Sequence, residues 1–156
     1  MKKLLFTLIV CLLLMSCNSV KDDVPVQILA ESLGKNITDF SNLSEASSDY
    51  IKYCMKSDLS LYSEYVVMYP FSGTKYNEIG IFKVKDQDSA SDAAKELESY
   101  LMFKKSNWDT RYKGEEFSKI EHAKITTCGN YILYTILDEK EQENVIKQFQ
   151  KELKKE

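Results

Sequence analysis

The chain has 156 residues, the size of one domain, with 24 acidic against 21 basic side chains and a net charge of −3. An acidic, mixed-charge surface argues against nucleic acid and against a polybasic membrane patch. Five glycines and two prolines are too few for a low-complexity or disordered chain.

Lys2 and Lys3 precede an apolar run from Leu4 to Met15, followed by Ser16 and Cys17. The run suits a signal-peptide core and falls short of the ~20 residues that span a bilayer. Leu14-Met15-Ser16-Cys17 resembles the lipobox of bacterial lipoproteins, with Met15 slightly unusual at its second position. In that setting the Cys17 thiol carries a diacylglyceryl group, and two or more acyl chains anchor a protein stably. Residues 1–16 are therefore read as a signal peptide, 17–24 as the lipidated Cys17 and a short tether, and 25–156 as one extracytoplasmic domain on the cell membrane. The seven residues between Cys17 and Pro25 reach about 25 Å when extended, which keeps the domain near the lipid.

Pro25 after Asp22-Asp23 opens a helix whose stripe is Val26, Leu29, Leu33 and Ile37. A polar stretch from Thr38 to Ser44 interrupts it, and a second short helix carries Tyr50, Ile51, Cys54 and Met55 on one face. Residues 61–71, rich in Tyr and Val, read as a strand, and Glu78 to Lys85 as its returning partner beyond a turn at Pro70, Ser72 and Gly73. Ser89 with Asp92 resembles a capping box, and Ala90, Ala94, Leu97 and Leu101 form the stripe of the helix it starts, flanked by Ala93 and Tyr100.

Residues 106–121 are irregular or partly helical. Lys124 to Thr127 and Tyr131 to Leu137 then make a hairpin about Gly129-Asn130, and the second strand, apolar on both faces, belongs in the middle of a sheet. A terminal helix buries Val145, Phe149 and Leu153. The expected fold is α+β in the order α-α-β-β-α-β-β-α, an antiparallel sheet of about four strands in two hairpins with helices packed on one face.

The run from Gly73 to Asp86 resembles the centre of a family of small bacterial lipoproteins, found chiefly in Firmicutes, that carry the domain of unknown function 4358. The similarity extends through Tyr112, Glu115-Glu116, Ala123-Lys124-Ile125 and Cys128-Gly129-Asn130-Tyr131-Ile132, covering roughly residues 51–149. It implies an extracytoplasmic α+β domain in a Firmicutes-like bacterium and supplies no activity, cofactor or functional residue.

Chemistry is sparse. His122 is the only histidine and no Cys-x-x-Cys pair exists, so no zinc site is expected. Asp86 and Asp88 have part of a calcium spacing without the glycine turn or bidentate Glu that would complete it, and fit a strand end and helix start. No nucleophile elbow accompanies His122, and no cofactor signature is present. Once Cys11 and Cys17 are set aside, Cys54 and Cys128 are a candidate disulfide pair or two buried thiols.

The candidate binding surface is aromatic: Tyr62, Tyr65, Tyr69 and Tyr76 about one hairpin, with Glu78, Trp108 and Tyr112. Such rings suit a sugar or peptide platform, and equally the packing of a half-exposed sheet. These features favour a lipid-anchored, non-enzymatic binding or accessory protein with an envelope protein, peptide or glycan partner. The alternatives are a glycan or peptide hydrolase using carboxylates around Glu78 and Glu115, and an inhibitor of an extracellular hydrolase presenting the loop from Phe71 to Asn77.

Overall fold

The computed structural model describes residues 20–71, 75–108 and 114–155. Cys17, Gly73 and Tyr112 lie outside the described residues, as does part of the Phe71–Asn77 loop. Five strands, β1 (Leu43–Glu45), β2 (Tyr62–Pro70), β3 (Glu78–Val84), β4 (Lys124–Cys128) and β5 (Tyr131–Ile136), form one antiparallel sheet ordered β1-β2-β3-β5-β4. Among the described residues four α-helices accompany it: α1 (Val26–Gly34), α2 (Asp88–Ser106), α3 (Glu115–Glu121) and α4 (Glu139–Leu153). The α+β class and the two hairpins are as expected, and β5 is an inner strand, paired with β3 on one side and β4 on the other. None of these helices is long and apolar enough to cross a membrane.

Helices cover both faces of the sheet, not one. Ile79 and Ile81 of β3 and Tyr131 and Leu133 of β5 pack with α1 and α4, whereas Phe82, Val84, Ile132 and Tyr134 pack with α2 and a turn at residues 50–54. Alternation along a strand sends neighbours to opposite faces. Two inner strands with large apolar side chains on both faces therefore demand a layer on each side.

The fifth strand is β1, which pairs Leu43, Ser44 and Glu45 with Pro70, Tyr69 and Met68. Three residues are too short for a periodic signal, and the strand exists because β2 offers it an edge. The expected second helix is a single π turn, Tyr50–Cys54. Its wider winding leaves Ile51 and Met55 buried and turns Cys54 outward. Cys128 is buried in the core beneath α1 and α4 on the opposite face, so no disulfide joins the two.

Two helix details also differ. α1 ends at Gly34, which lies against the Phe40 ring, and Ile37 reaches the core from the following turn. At α2 the Asp86 carboxylate accepts from the Ser89 N–H and hydroxyl, both at 2.8 Å. Ser89 is thus inside the helix rather than its cap, and the buried stripe is Ala93, Leu97 and Tyr100. Gly129, with φ +56°, makes the tight β4–β5 turn.

Candidate binding site

β3 begins with Glu78, whose side chain shares the α2 side of the sheet with Phe82 and Val84. A carboxylate at a strand start is ordinarily a solvated end. Here it is wholly buried, with zero exposure. Its Oε1 accepts from the Tyr100 hydroxyl at 2.8 Å and the Tyr134 hydroxyl at 2.7 Å, and its Oε2 from the Lys104 ammonium at 2.6 Å. Tyr100 and Lys104, one helical turn apart on α2, reach it together. A lone buried carboxylate would cost several kcal/mol, and three donors offset that cost.

Lys104 also donates to the Tyr76 hydroxyl at 2.7 Å and lies 4.6 Å from the Tyr76 ring centroid and 5.0 Å from that of Tyr100. The Tyr50 and Tyr100 hydroxyls are 3.1 Å apart. The Tyr100 proton is committed to Glu78, so Tyr50 is the donor. Tyr50 stacks on Tyr69 at 4.5 Å. The result is a closed network, one carboxylate and one ammonium fitted among tyrosines.

Above it lies a half-buried aromatic row. Tyr76 meets the Trp108 edge at 5.4 Å, and Trp108 meets Phe117 of α3 at 6.1 Å. A second polar cluster fixes the backbone beside this row. Buried Lys119 donates to Asn77 Oδ1 at 2.9 Å and to Glu116 Oε1 at 3.0 Å, while Glu116 Oε2 accepts from the Tyr76 N–H. Asn77 in turn donates to the Thr38 carbonyl at 3.2 Å. The chain entering β3 is thus tied to α3 and to the turn after α1.

Burial pushes the Tyr100 and Tyr134 hydroxyls far up, with the Glu78 charge adding to it, and pushes Tyr62 up to about 12. Burial pulls the Lys104 ammonium down, but the Glu78 carboxylate and Tyr76 outweigh it and hold it above the ordinary lysine value. Above pH ~10 the tyrosines of the unfolded chain ionise while these do not. The folded state then binds more protons than the unfolded one, so stability falls as pH rises. For Tyr62 alone the loss amounts to about 2 kcal/mol by pH ~12, and Tyr100, Tyr134 and Lys104 add to it in the same direction. Urea midpoints are expected to drop steeply across this range, with the tyrosinate absorbance of Tyr62, Tyr100 and Tyr134 appearing only as the protein unfolds. A flat midpoint would mean that the hydroxyls are open to water.

Of the aromatic residues singled out in the sequence, Tyr76 and Trp108 are in contact and Glu78 lies beneath them. Tyr65 and Tyr69 are half-buried on the same face of β2. Tyr62 is withdrawn into the core, with its hydroxyl 2.9 Å from that of Ser57. Lys104, Tyr100, Tyr134, Lys119 and Phe117 were not anticipated. Their one local trace is the helical spacing of Tyr100 and Lys104.

Glu115 is exposed at the start of α3 and lines a cavity of about 420 Å³ with His122, Asp138 and Gln142, a space to which Glu78 does not contribute. Glu78 is thus buried beneath the aromatic row, whereas Glu115 is exposed at this cavity. His122 is exposed and its Nδ1 lies 2.8 Å from the Ser118 carbonyl. Among the described residues no group of three or more His, Cys, Asp or Glu could hold a metal ion.

Residues 36–137, more than half of the chain, match the model of a family described as a domain of unknown function, DUF4358. The match takes in the whole sheet and the site, and leaves α1 and α4 outside. No curated protein and no solved structure matches the chain.

Proposed function

The chain belongs to the DUF4358 family of domains of unknown function, and from that premise we propose that it is a bacterial, Firmicutes-type lipoprotein, a non-enzymatic binding or accessory protein anchored through Cys17 on the outer face of the cell membrane. The observation that carries this reading is the half-buried row of Tyr76, Trp108 and Phe117 over a floor whose charges are already matched to one another. An acid or base in catalysis must exchange its proton with substrate. Glu78 is committed to three donors away from solvent. Aromatic rings on a rigid, hydrogen-bonded base suit contact with an envelope protein, peptide or glycan.

In cells, Cys17→Ala is expected to move the protein from the membrane to the soluble fraction and to abolish incorporation of labelled palmitate. Crosslinking of intact cells is expected to enrich a partner with the wild type that is lost with Trp108→Ala. Retention of Cys17→Ala in the membrane would overturn the anchor. Turnover of envelope glycans or peptides by the purified domain would overturn the non-enzymatic role.

A further inference from the structure

The tether expected between Cys17 and Pro25 is largely docked on the body of the domain. Val20 pairs antiparallel with Lys154, and the Lys21 N–H donates to the Leu153 carbonyl at 2.8 Å. Val20 also covers the β4–β5 turn so closely that a Cβ on Gly129 would lie 2.8 Å from its Cγ1. Val20 and Val24 pack on the core beneath α1 and α4, and the Val24 carbonyl accepts from the Tyr131 hydroxyl at 2.8 Å. The chain is thus held from Val20 onward.

Only Asn18 and Ser19 separate Cys17 from this clasp. Three Cα steps reach about 10 Å at most, against about 25 Å had the tether been free to Pro25. A domain some tens of ångströms across cannot turn over on so short a lead. We infer that the clasp of residues 20–24 seats one end of the domain, the Gly129-Asn130 turn with the C-terminus of α4, against phospholipid headgroups, and so aims the aromatic row away from the membrane. The inference rests on the lipid-anchor reading.

The geometry of the two ends follows from the register. Val84 donates to the Asn130 carbonyl at the seated end, whereas Glu78 pairs with Ile136 at the other. Six residue steps along β3 separate them by about 20 Å. Charge does not set this orientation, because Lys21, Lys154 and Lys155 are matched by Asp22, Asp23 and Glu152, and Lys85 just past β3 is outnumbered by Asp86 and Asp88. The length of the lead does. Phe71, 76% exposed, follows β2 at the far end, and Met102, 67% exposed, lies near the far end of α2. Both then face outward.

The test uses the lipidated full chain carrying Cys54→Ser, reconstituted in vesicles of phosphatidylglycerol and phosphatidylethanolamine whose headgroups bear nitroxide. An environment-sensitive dye is attached through Asn130→Cys in one sample and Met102→Cys in another. Dye at position 130 is expected to lose most of its emission and dye at 102 to keep it. A Gly/Ser insertion of about ten residues between Ser19 and Val20, which adds roughly 17 Å of flexible reach, is expected to erase the difference while the protein still floats with the vesicles. Equal quenching at the two positions without the insertion, or a contrast that survives it, overturns the inference. Loss of flotation by the wild type overturns the anchor itself, which is a separate outcome.

Discussion

Glu78→Ala is expected to destabilise the domain by about 3–5 kcal/mol, the range for removing one partner of a buried ion pair. The substitution leaves the Lys104 ammonium, which is 9% exposed, opposite a cavity, and strips the Tyr100 and Tyr134 hydroxyls of their acceptor. Each unsatisfied hydroxyl adds about 1–3 kcal/mol if it finds no new partner, though the losses overlap because all three donors share one carboxylate. Against a net stability of ~5–15 kcal/mol for a domain, the urea midpoint should fall far enough to leave part of the chain unfolded at physiological temperature.

Glu78→Gln separates the contributions, since an amide keeps an oxygen for the tyrosines while leaving the ammonium uncompensated. Adding Lys104→Met to Glu78→Gln removes that charge and is expected to recover much of the loss. A cost below about 1 kcal/mol for Glu78→Ala would be the value of a surface ion pair and would contradict the buried network.

Glu78 also marks where sequence reasoning stops. Its local context, a charge between a turn and an apolar run, is that of a solvated strand end. What buries it is remote: Lys104 lies 26 positions on and Tyr134 lies 56. The strands themselves were legible because β2, β3 and β5 are dense in Tyr, Val and Ile, and Gly129-Asn130 announces the second hairpin. The apolar run of β5 signals burial on both faces, and followed through it requires a helical layer on each side of the sheet. β1 carried no such signal, since a three-residue strand is defined by its neighbour's edge rather than by its own pattern.

Tyr62 illustrates the limit for the site. Tyrosine is equally at home in a core with a hydrogen bond and on a binding surface. The irregularity between Tyr62 and Glu64 turns the former inward to Phe82, 4.8 Å away, and to Ser57. Tyr76, one element later, keeps a partly exposed ring because it precedes β3 and leans on Trp108. Residue type did not distinguish the two, but position relative to the sheet does.

Gly80→Ala is expected to destabilise by more than 2 kcal/mol, with a sign opposite to that of local propensity. Glycine within a strand ordinarily weakens it, and alanine should help by about 0.5–1 kcal/mol. Gly80 pairs with Tyr134 across β3 and β5, and a Cβ there would lie 2.1 Å from Tyr134 Cε1 and 2.8 Å from Cδ1 and Cζ. The ring cannot retreat: it has zero exposure, packs against Phe82 and Tyr100, and ends in the hydrogen bond to Glu78.

Overpacking costs about 1–3 kcal/mol, and a displaced hydroxyl forfeits a bond to a charged group worth about 1.5–3 kcal/mol. The glycine is therefore the slot that lets Tyr134 reach the carboxylate. Combining Gly80→Ala with Tyr134→Val frees the space the methyl group needs, so the double variant should be more stable than the sum of the single losses, with a coupling of about 0.5–3 kcal/mol. Strict additivity, or a Gly80→Ala variant more stable than wild type by urea titration, would mean that the ring does not depend on that slot and that the network on Glu78 is assembled in another way.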